Sequence, residues 1–186
     1  FIKKNGVLLD SFPRNKKIES KALTVKIGSD GGFDKIIHED YIRSSSYIVR
    51  KSLAIDEEDN LYLFGTFTNS IYFTTTDSLN NRSYEDGMDS YLAKFDANLN
   101  FEWARKIGGQ NTQWIKDIGF DDEGSVYATG QYSFECTLSD GISVIQKSTY
   151  EYKSGSSFFY FKLFADGELA FARYEEEGNY GTSFSA

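Results

Sequence analysis

Lys51-Ser52-Leu53-Ala54-Ile55-Asp56-Glu57-Glu58-Asp59-Asn60-Leu61-Tyr62-Leu63-Phe64-Gly65-Thr66-Phe67 aligns with Lys116-Asp117-Ile118-Gly119-Phe120-Asp121-Asp122-Glu123-Gly124-Ser125-Val126-Tyr127-Ala128-Thr129-Gly130-Gln131-Tyr132. Lys, Asp, Tyr and Gly coincide, the apolar positions coincide as well, and the offset is 65 (121 − 56). Downstream, Ser90-Tyr91-Leu92-Ala93-Lys94-Phe95-Asp96-Ala97 and Phe101-Glu102-Trp103-Ala104-Arg105 match Phe158-Phe159-Tyr160-Phe161-Lys162-Leu163-Phe164-Ala165 and Leu169-Ala170-Phe171-Ala172-Arg173 at an offset of 68 (162 − 94). The order is kept, and the linking loop absorbs three residues, as loops of a true repeat do.

Each repeat reads as four strands. In the first they are expected at 52–56, 61–67, 91–96 and 101–107, and in the second at 117–121, 126–132, 158–164 and 169–175. The turns at 56–60, 96–100, 121–124 and 165–168 are rich in Asp, Asn and Gly, which tolerate tight reversals. Short strands reversing at this spacing form an antiparallel meander, and no stretch sustains a helical period with caps. Composition agrees: 16 Phe, 13 Tyr and 16 Gly against one Met suit pleated, half-buried strands better than a helical core. The expected fold is all-β, built of four-stranded antiparallel blades of a β-propeller, the propeller being incomplete.

Residues 47–110 and 111–177 are thus two blades. Residues 1–46 are read as the end of a preceding blade (3–12 supplying its third and fourth strands) plus an elaborated connection with candidate strands at 22–27 and 35–38. Residues 178–186 are read as the start of a next blade. The chain opens on Phe1, and closing even a four-bladed ring at this spacing takes about 260 residues, so 186 residues are expected to be a piece of a longer array.

The pattern resembles the bacterial β-propeller repeat family of the SBBP type. The residues that carry the likeness are Ile55-Asp56, Asn60-Leu61-Tyr62 and Gly65, then Asp89-Ser90-Tyr91-Leu92-Ala93-Lys94-Phe95-Asp96, then Trp103-Ala104-Arg105-Lys106-Ile107-Gly108-Gly109. The second unit keeps Asp121, Gly124, Val126-Tyr127, Thr129-Gly130, Lys162 and Asp166-Gly167, but Phe171 replaces Trp and Glu175–Glu177 replaces the Gly-Gly end. The resemblance implies exported or surface proteins of bacteria, extracellular or periplasmic, in which the propeller presents a binding surface. It brings no shared catalytic residues.

Charge and cysteine content narrow the partners. Twenty Lys+Arg against 28 Asp+Glu leave a net charge of −8, which disfavours nucleic acid and anionic membranes. No run approaches the ~20 apolar residues of a membrane helix. Cys136 is the single cysteine, so no internal disulfide forms; its expected role is a small buried apolar residue.

Candidate sites are few. The acidic turns containing Asp56, Asp59 and Asp121 invite a calcium reading, but neither has EF-hand spacing, and both sit where the repeat needs a hairpin turn. No cofactor other than calcium is suggested. Lys94/Lys162 and Arg105/Arg173 recur, so they are expected to pair with carboxylates of adjacent blades rather than to bind ligand. Trp103, Tyr62 and Tyr127 are expected in the inter-blade core. Trp114 stands outside the repeat, its counterpart being Thr182; with loop tyrosines Tyr84 and Tyr150 it is the candidate ligand contact, for a glycan. His38 has no triad or zinc partner at a recognisable spacing. The expected function is a non-catalytic protein-binding or scaffolding module whose partners are other subunits or the remainder of the propeller. A lectin-like module is the alternative, and a glycan hydrolase or lyase the third choice.

Overall fold

The computed structural model describes residues 3–4, 7–8, 21–27, 32–40, 48–74, 76–81, 87–133, 135–140, 144–147 and 157–175, with side chains over 52–74, 76–81, 87–133, 135–140 and 157–174. Tyr84, Tyr150, Pro13 and residues 178–186 lie outside the described residues, and the side chain of His38 lies outside the described side chains. The chain is all-β, with strands β1 (Lys3–Lys4), β2 (Val7–Leu8), β3 (Lys21–Ile27), β4 (Phe33–Asp40), β5 (Ile48–Ile55), β6 (Leu61–Phe67), β7 (Ser70–Tyr72) and β8 (Ser78–Asn80). Then come β9 (Asp89–Phe95), β10 (Phe101–Gly108), β11 (Gln113–Phe120), β12 (Val126–Tyr132), β13 (Thr137–Ser139), β14 (Val144–Lys147), β15 (Ser157–Leu163) and β16 (Leu169–Glu175). Every pairing is antiparallel. Among the described residues no helix is long and apolar enough to cross a membrane.

Both repeats form the expected meander. The first is β5-β6-β9-β10 and the second β11-β12-β15-β16, each with its strands side by side in chain order. The first strand of each begins at 48 and at 113, four residues before the sequence places it. The ladder register slips between Val49 and Lys51 and again between Ile115 and Asp117. Such a bulge breaks the period-two alternation by which a strand is recognised, so the stretch upstream of it reads as loop.

The links between second and third strands fold into short hairpins, β7–β8 and β13–β14. β13 adds to the edge of β10, pairing Lys106 with Ser139 and Gly108 with Thr137, which extends the first sheet to six strands. β7 joins β4 in the same way through Asp40↔Tyr72. Spacing explains the parallel. Moved 68 residues on, β3 becomes 89–95 and β4 becomes 101–108, the bounds of β9 and β10. Lys26, Lys94 and Lys162 then coincide. The third and fourth strands of a preceding unit therefore map onto 21–40, not onto 3–12, where β1 and β2 form only a two-residue ladder. The aromatic residues that advertise this hairpin in the other two units are missing from 21–27, whose sequence is Lys-Ala-Leu-Thr-Val-Lys-Ile.

Burial separates the two sheets. β6 and β9 are buried along their whole length, because both faces of the first sheet are covered. One face, with Leu61, Leu63, Phe67, Tyr91, Ala93 and Phe95, packs on Ile71, Phe73 and Leu79 of the inserted hairpin. The other, with Tyr62, Phe64, Leu92, Trp103 and Ile107, packs on Val126, Ala128, Phe159, Phe161 and Leu163 of the second sheet. β15, by contrast, alternates between buried and outward residues, so the second sheet is covered on one face.

Candidate functional site

The seam between the two sheets gathers the repeated polar and aromatic residues. Lys94 Nζ and Trp103 Nε1 both donate to the carbonyl of Ala165, at 3.1 and 3.0 Å, and Arg105 Nε donates to the carbonyl of Gly167 at 2.9 Å. Three side chains from β9 and β10 therefore grip the β15–β16 turn. Gly167 makes the close approach feasible: its φ is 82°, and a Cβ there would lie 2.7 Å from Trp103 Cδ2. Tyr62 meets Trp103 edge-on at 6.0 Å and Phe120 at 4.6 Å, so the aromatic part of the seam is continuous with its polar part.

The lysines and arginines act differently from expectation. Lys94 pairs with Glu102 at 3.0 Å and Lys162 with Asp121 at 2.9 Å, each within its own sheet. What crosses the seam is bonding to backbone carbonyls, not to carboxylates. Asp166, the acid on the gripped turn, already accepts from the N–H of Glu168 at 2.9 Å and is exposed. A carbonyl held rigid in a tight turn offers a fixed acceptor without the cost of ordering a second long side chain.

A scan against protein-family models and a search of curated proteins return no match.

Asp56 and Asp121 close their own hairpins. Asp56 Oδ1 accepts from the N–H groups of Glu58 (3.0 Å) and Asn60 (2.9 Å), while Oδ2 accepts from Asn60 Nδ2 (3.0 Å). Asp121 Oδ1 accepts from Glu123 and Ser125, and its Oδ2 takes the hydroxyl of Tyr127 as well as Lys162. The Lys162 ammonium, with these N–H and O–H donors, holds the Asp121 carboxyl well below the usual carboxylate range. Asp59 is exposed at φ 63° and contributes its N–H to the carbonyl of Asp56 at 3.2 Å. Among the described residues no group of three or more His, Cys, Asp or Glu stands ready to hold a metal ion.

The aromatic candidates divide. Tyr62 and Trp103 are core, as expected. Tyr127 is not: it is 39% exposed, because nothing among the described residues covers that face of the second sheet. Trp114 is half-buried on β11 opposite Gln131, and Lys116 Nζ stands 5.5 Å from its ring centre. Tyr84 and Tyr150 lie outside the described residues, so Trp114 stands alone as a glycan contact. Cys136 is buried, and burial pushes its thiol up.

Sequence reasoning missed Asp89. Its carboxylate is 1% exposed, 3.4 Å from Lys106 Nζ, and walled by Gly108, where a Cβ would lie 2.9 Å from it. Burial raises its pKa to about 6, opposed by Lys106 and by a hydrogen bond from the backbone of Gly109. A carboxyl titrating there suits acid–base chemistry in principle. A substrate, however, cannot reach a group sealed beneath β10. One signal was available: Asp89-Ser90 opens a strand whose counterpart opens Ser157-Phe158, so Asp89 is an acid that the repeat does not call for.

Proposed function

We propose that this chain is a non-catalytic β-propeller repeat module of an exported or cell-surface bacterial protein, and that it serves as a protein-binding or scaffolding surface. The observation that carries this reading is the grip of Lys94, Trp103 and Arg105 on the Ala165–Gly167 turn, which stacks one four-stranded repeat on the next through repeat-equivalent residues. Side chains that recur with the scaffold serve the scaffold. The blade assignment rests on the four-stranded meander, the spacing of 65 to 68 residues and the face-to-face packing of consecutive sheets. Partners are further repeat units or other protein subunits, bound where loops and uncovered sheet faces meet solvent.

Trp114 favours one second reading, a glycan-binding module, because it is partly exposed and the repeat does not require it. A glycan array probed with the whole chain, together with a hydrolysis screen of the same glycans, separates the readings. The scaffold reading expects neither retention nor turnover. Retention lost in Trp114→Ala would favour the lectin, and turnover lost in a single carboxylate variant would overturn the non-catalytic reading.

A further inference from the structure

Six large apolar side chains remain exposed among the described residues, and they fall on two surfaces. Leu53 (57%) and Ile55 (58%) lie on β5; Tyr127 (39%), Phe158 (38%), Tyr160 (41%) and Phe164 (47%) lie on or beside β12 and β15 of the second sheet. Contiguous apolar surface of this kind marks an interaction site.

The repeat identifies what each surface is built to meet. Sixty-five residues after Leu53 and Ile55 stand Ile118 and Phe120 of β11, and both pack into the core between the sheets. Phe120 lies 4.6 Å from the ring of Tyr62. Sixty-five residues after Tyr62 stands Tyr127, and 68 after Leu92 stands Tyr160. Tyr62 and Leu92 are fully buried beneath the second sheet, whereas Tyr127 and Tyr160 face solvent. The polar fittings recur too. Lys162 lies 5.1 Å from the ring centre of Tyr127, as Lys94 lies 5.9 Å from that of Tyr62. Arg173 Nη1 holds the carbonyl of Ala172 at 2.9 Å, as Arg105 Nη1 holds that of Ala104.

We propose that the chain associates head to tail with a second copy of itself, β5 of one copy covering the outer face of β12, β15 and β16 of the other. The contact reproduces between copies the seating of β11 on the first sheet within one copy, so it rests on the repeat reading above. One molecule displays both halves of an interface that it also contains assembled, which makes a second copy the partner of matching shape. Such a contact is heterologous: it closes a ring if the rotation allows and otherwise propagates.

Sedimentation velocity on the full chain from low micromolar to submillimolar concentration tests this. The wild type is expected to form species larger than a monomer that grow with concentration. Ile55→Glu disables the head and Tyr160→Glu the tail, each weakening association roughly 30-fold or more. Both residues are exposed, and thermal melts establish that each variant folds; Leu53→Lys and Phe164→Lys provide a second pair. The deciding sample is an equimolar mixture of one head and one tail variant, which retains a single intact interface and is expected to form a one-to-one dimer and nothing larger. A wild type that stays monomeric throughout overturns the proposal. So does a mixture that stays monomeric, or a dimer that survives Ile55→Glu but not Tyr160→Glu, which would be tail-to-tail. None of these failures touches the internal seam, which the stability of Trp103 variants tests separately.

Discussion

The indole Nε1 of Trp103 donates a hydrogen bond to the carbonyl of Ala165, 62 residues downstream in the neighbouring sheet, at 3.0 Å. Lys94 Nζ shares that carbonyl at 3.1 Å, so one backbone oxygen anchors two side chains of the preceding repeat. Trp103→Phe keeps an aromatic ring and leaves Ala165 with its lysine donor, and is expected to cost about 1–2 kcal/mol. Trp103→Ala also empties the seam and is expected to cost about 3–5 kcal/mol. Phe171, the equivalent residue on the uncovered sheet, is expected to lose only about 1 kcal/mol on truncation to Ala. Urea unfolding at constant m value measures all three.

Asp56 accepts three hydrogen bonds within its own turn, two from backbone N–H groups and one from Asn60. Asp56→Ala strands those donors and is expected to destabilise the chain by about 2 kcal/mol. Calcium or a chelator is expected to leave the wild-type melting temperature unchanged. A calcium-dependent rise that disappears in Asp56→Ala would restore the metal reading.

Asp89 makes stability pH-dependent in an unusual direction. Burial raises its folded pKa to about 6, above the ordinary value of 3.8, so between these limits the folded chain binds more protons than the unfolded chain. Stability from this group is full below about pH 4 and falls by about 3 kcal/mol as pH rises through 6. Asp89→Asn is expected to remove that slope, read as unfolding midpoints from pH 4 to 7. A wild type whose midpoints do not fall across this range relative to Asp89→Asn would show that Asp89 titrates normally.

Cys136 is 1% exposed, and its thiol is pushed up by burial, so the reactive thiolate is scarce in the folded chain. A thiol-specific reagent is expected to label it only at the rate at which the chain opens, and immediately in denaturant. Rapid labelling of the native chain would contradict the packing of β13 against β10.

Much of the fold was legible in the repeat. Lys51–Phe67 and Lys116–Tyr132 marked the second strands to the residue, since β6 and β12 carry apolar residues, Tyr and Gly at matched places. The bulges after Val49 and Ile115 hid the starts of β5 and β11, because alternation fails where a residue is inserted. The hairpin β3–β4 was read as a connection because its apolar residues are Leu, Val and Ile rather than Phe and Tyr. Which sheet face is covered could not be read from either repeat. Tyr62 and Tyr127 are the same residue at the same place, and only the presence of a following sheet buries the first. The gripped turn was equally hidden, because a backbone carbonyl leaves no mark in a sequence.

Stacking of the two repeats through the Ala165–Gly167 turn is tested most directly by a double-mutant cycle between Gly167→Ala and Trp103→Leu. Gly167 and Gly124 share left-handed dihedrals, φ 82° and 74°, but a Cβ at 124 meets only Ala165 Cβ at 3.7 Å, whereas one at 167 would strike Trp103 at 2.7 Å. Gly124→Ala is therefore expected to cost about 1 kcal/mol from the backbone alone. Gly167→Ala is expected to cost that plus a clash that Trp103→Leu relieves, giving a coupling of about 1–2 kcal/mol in urea unfolding. Additivity within about 0.5 kcal/mol would mean that the turn and the tryptophan do not touch in solution, and would contradict the stacked arrangement.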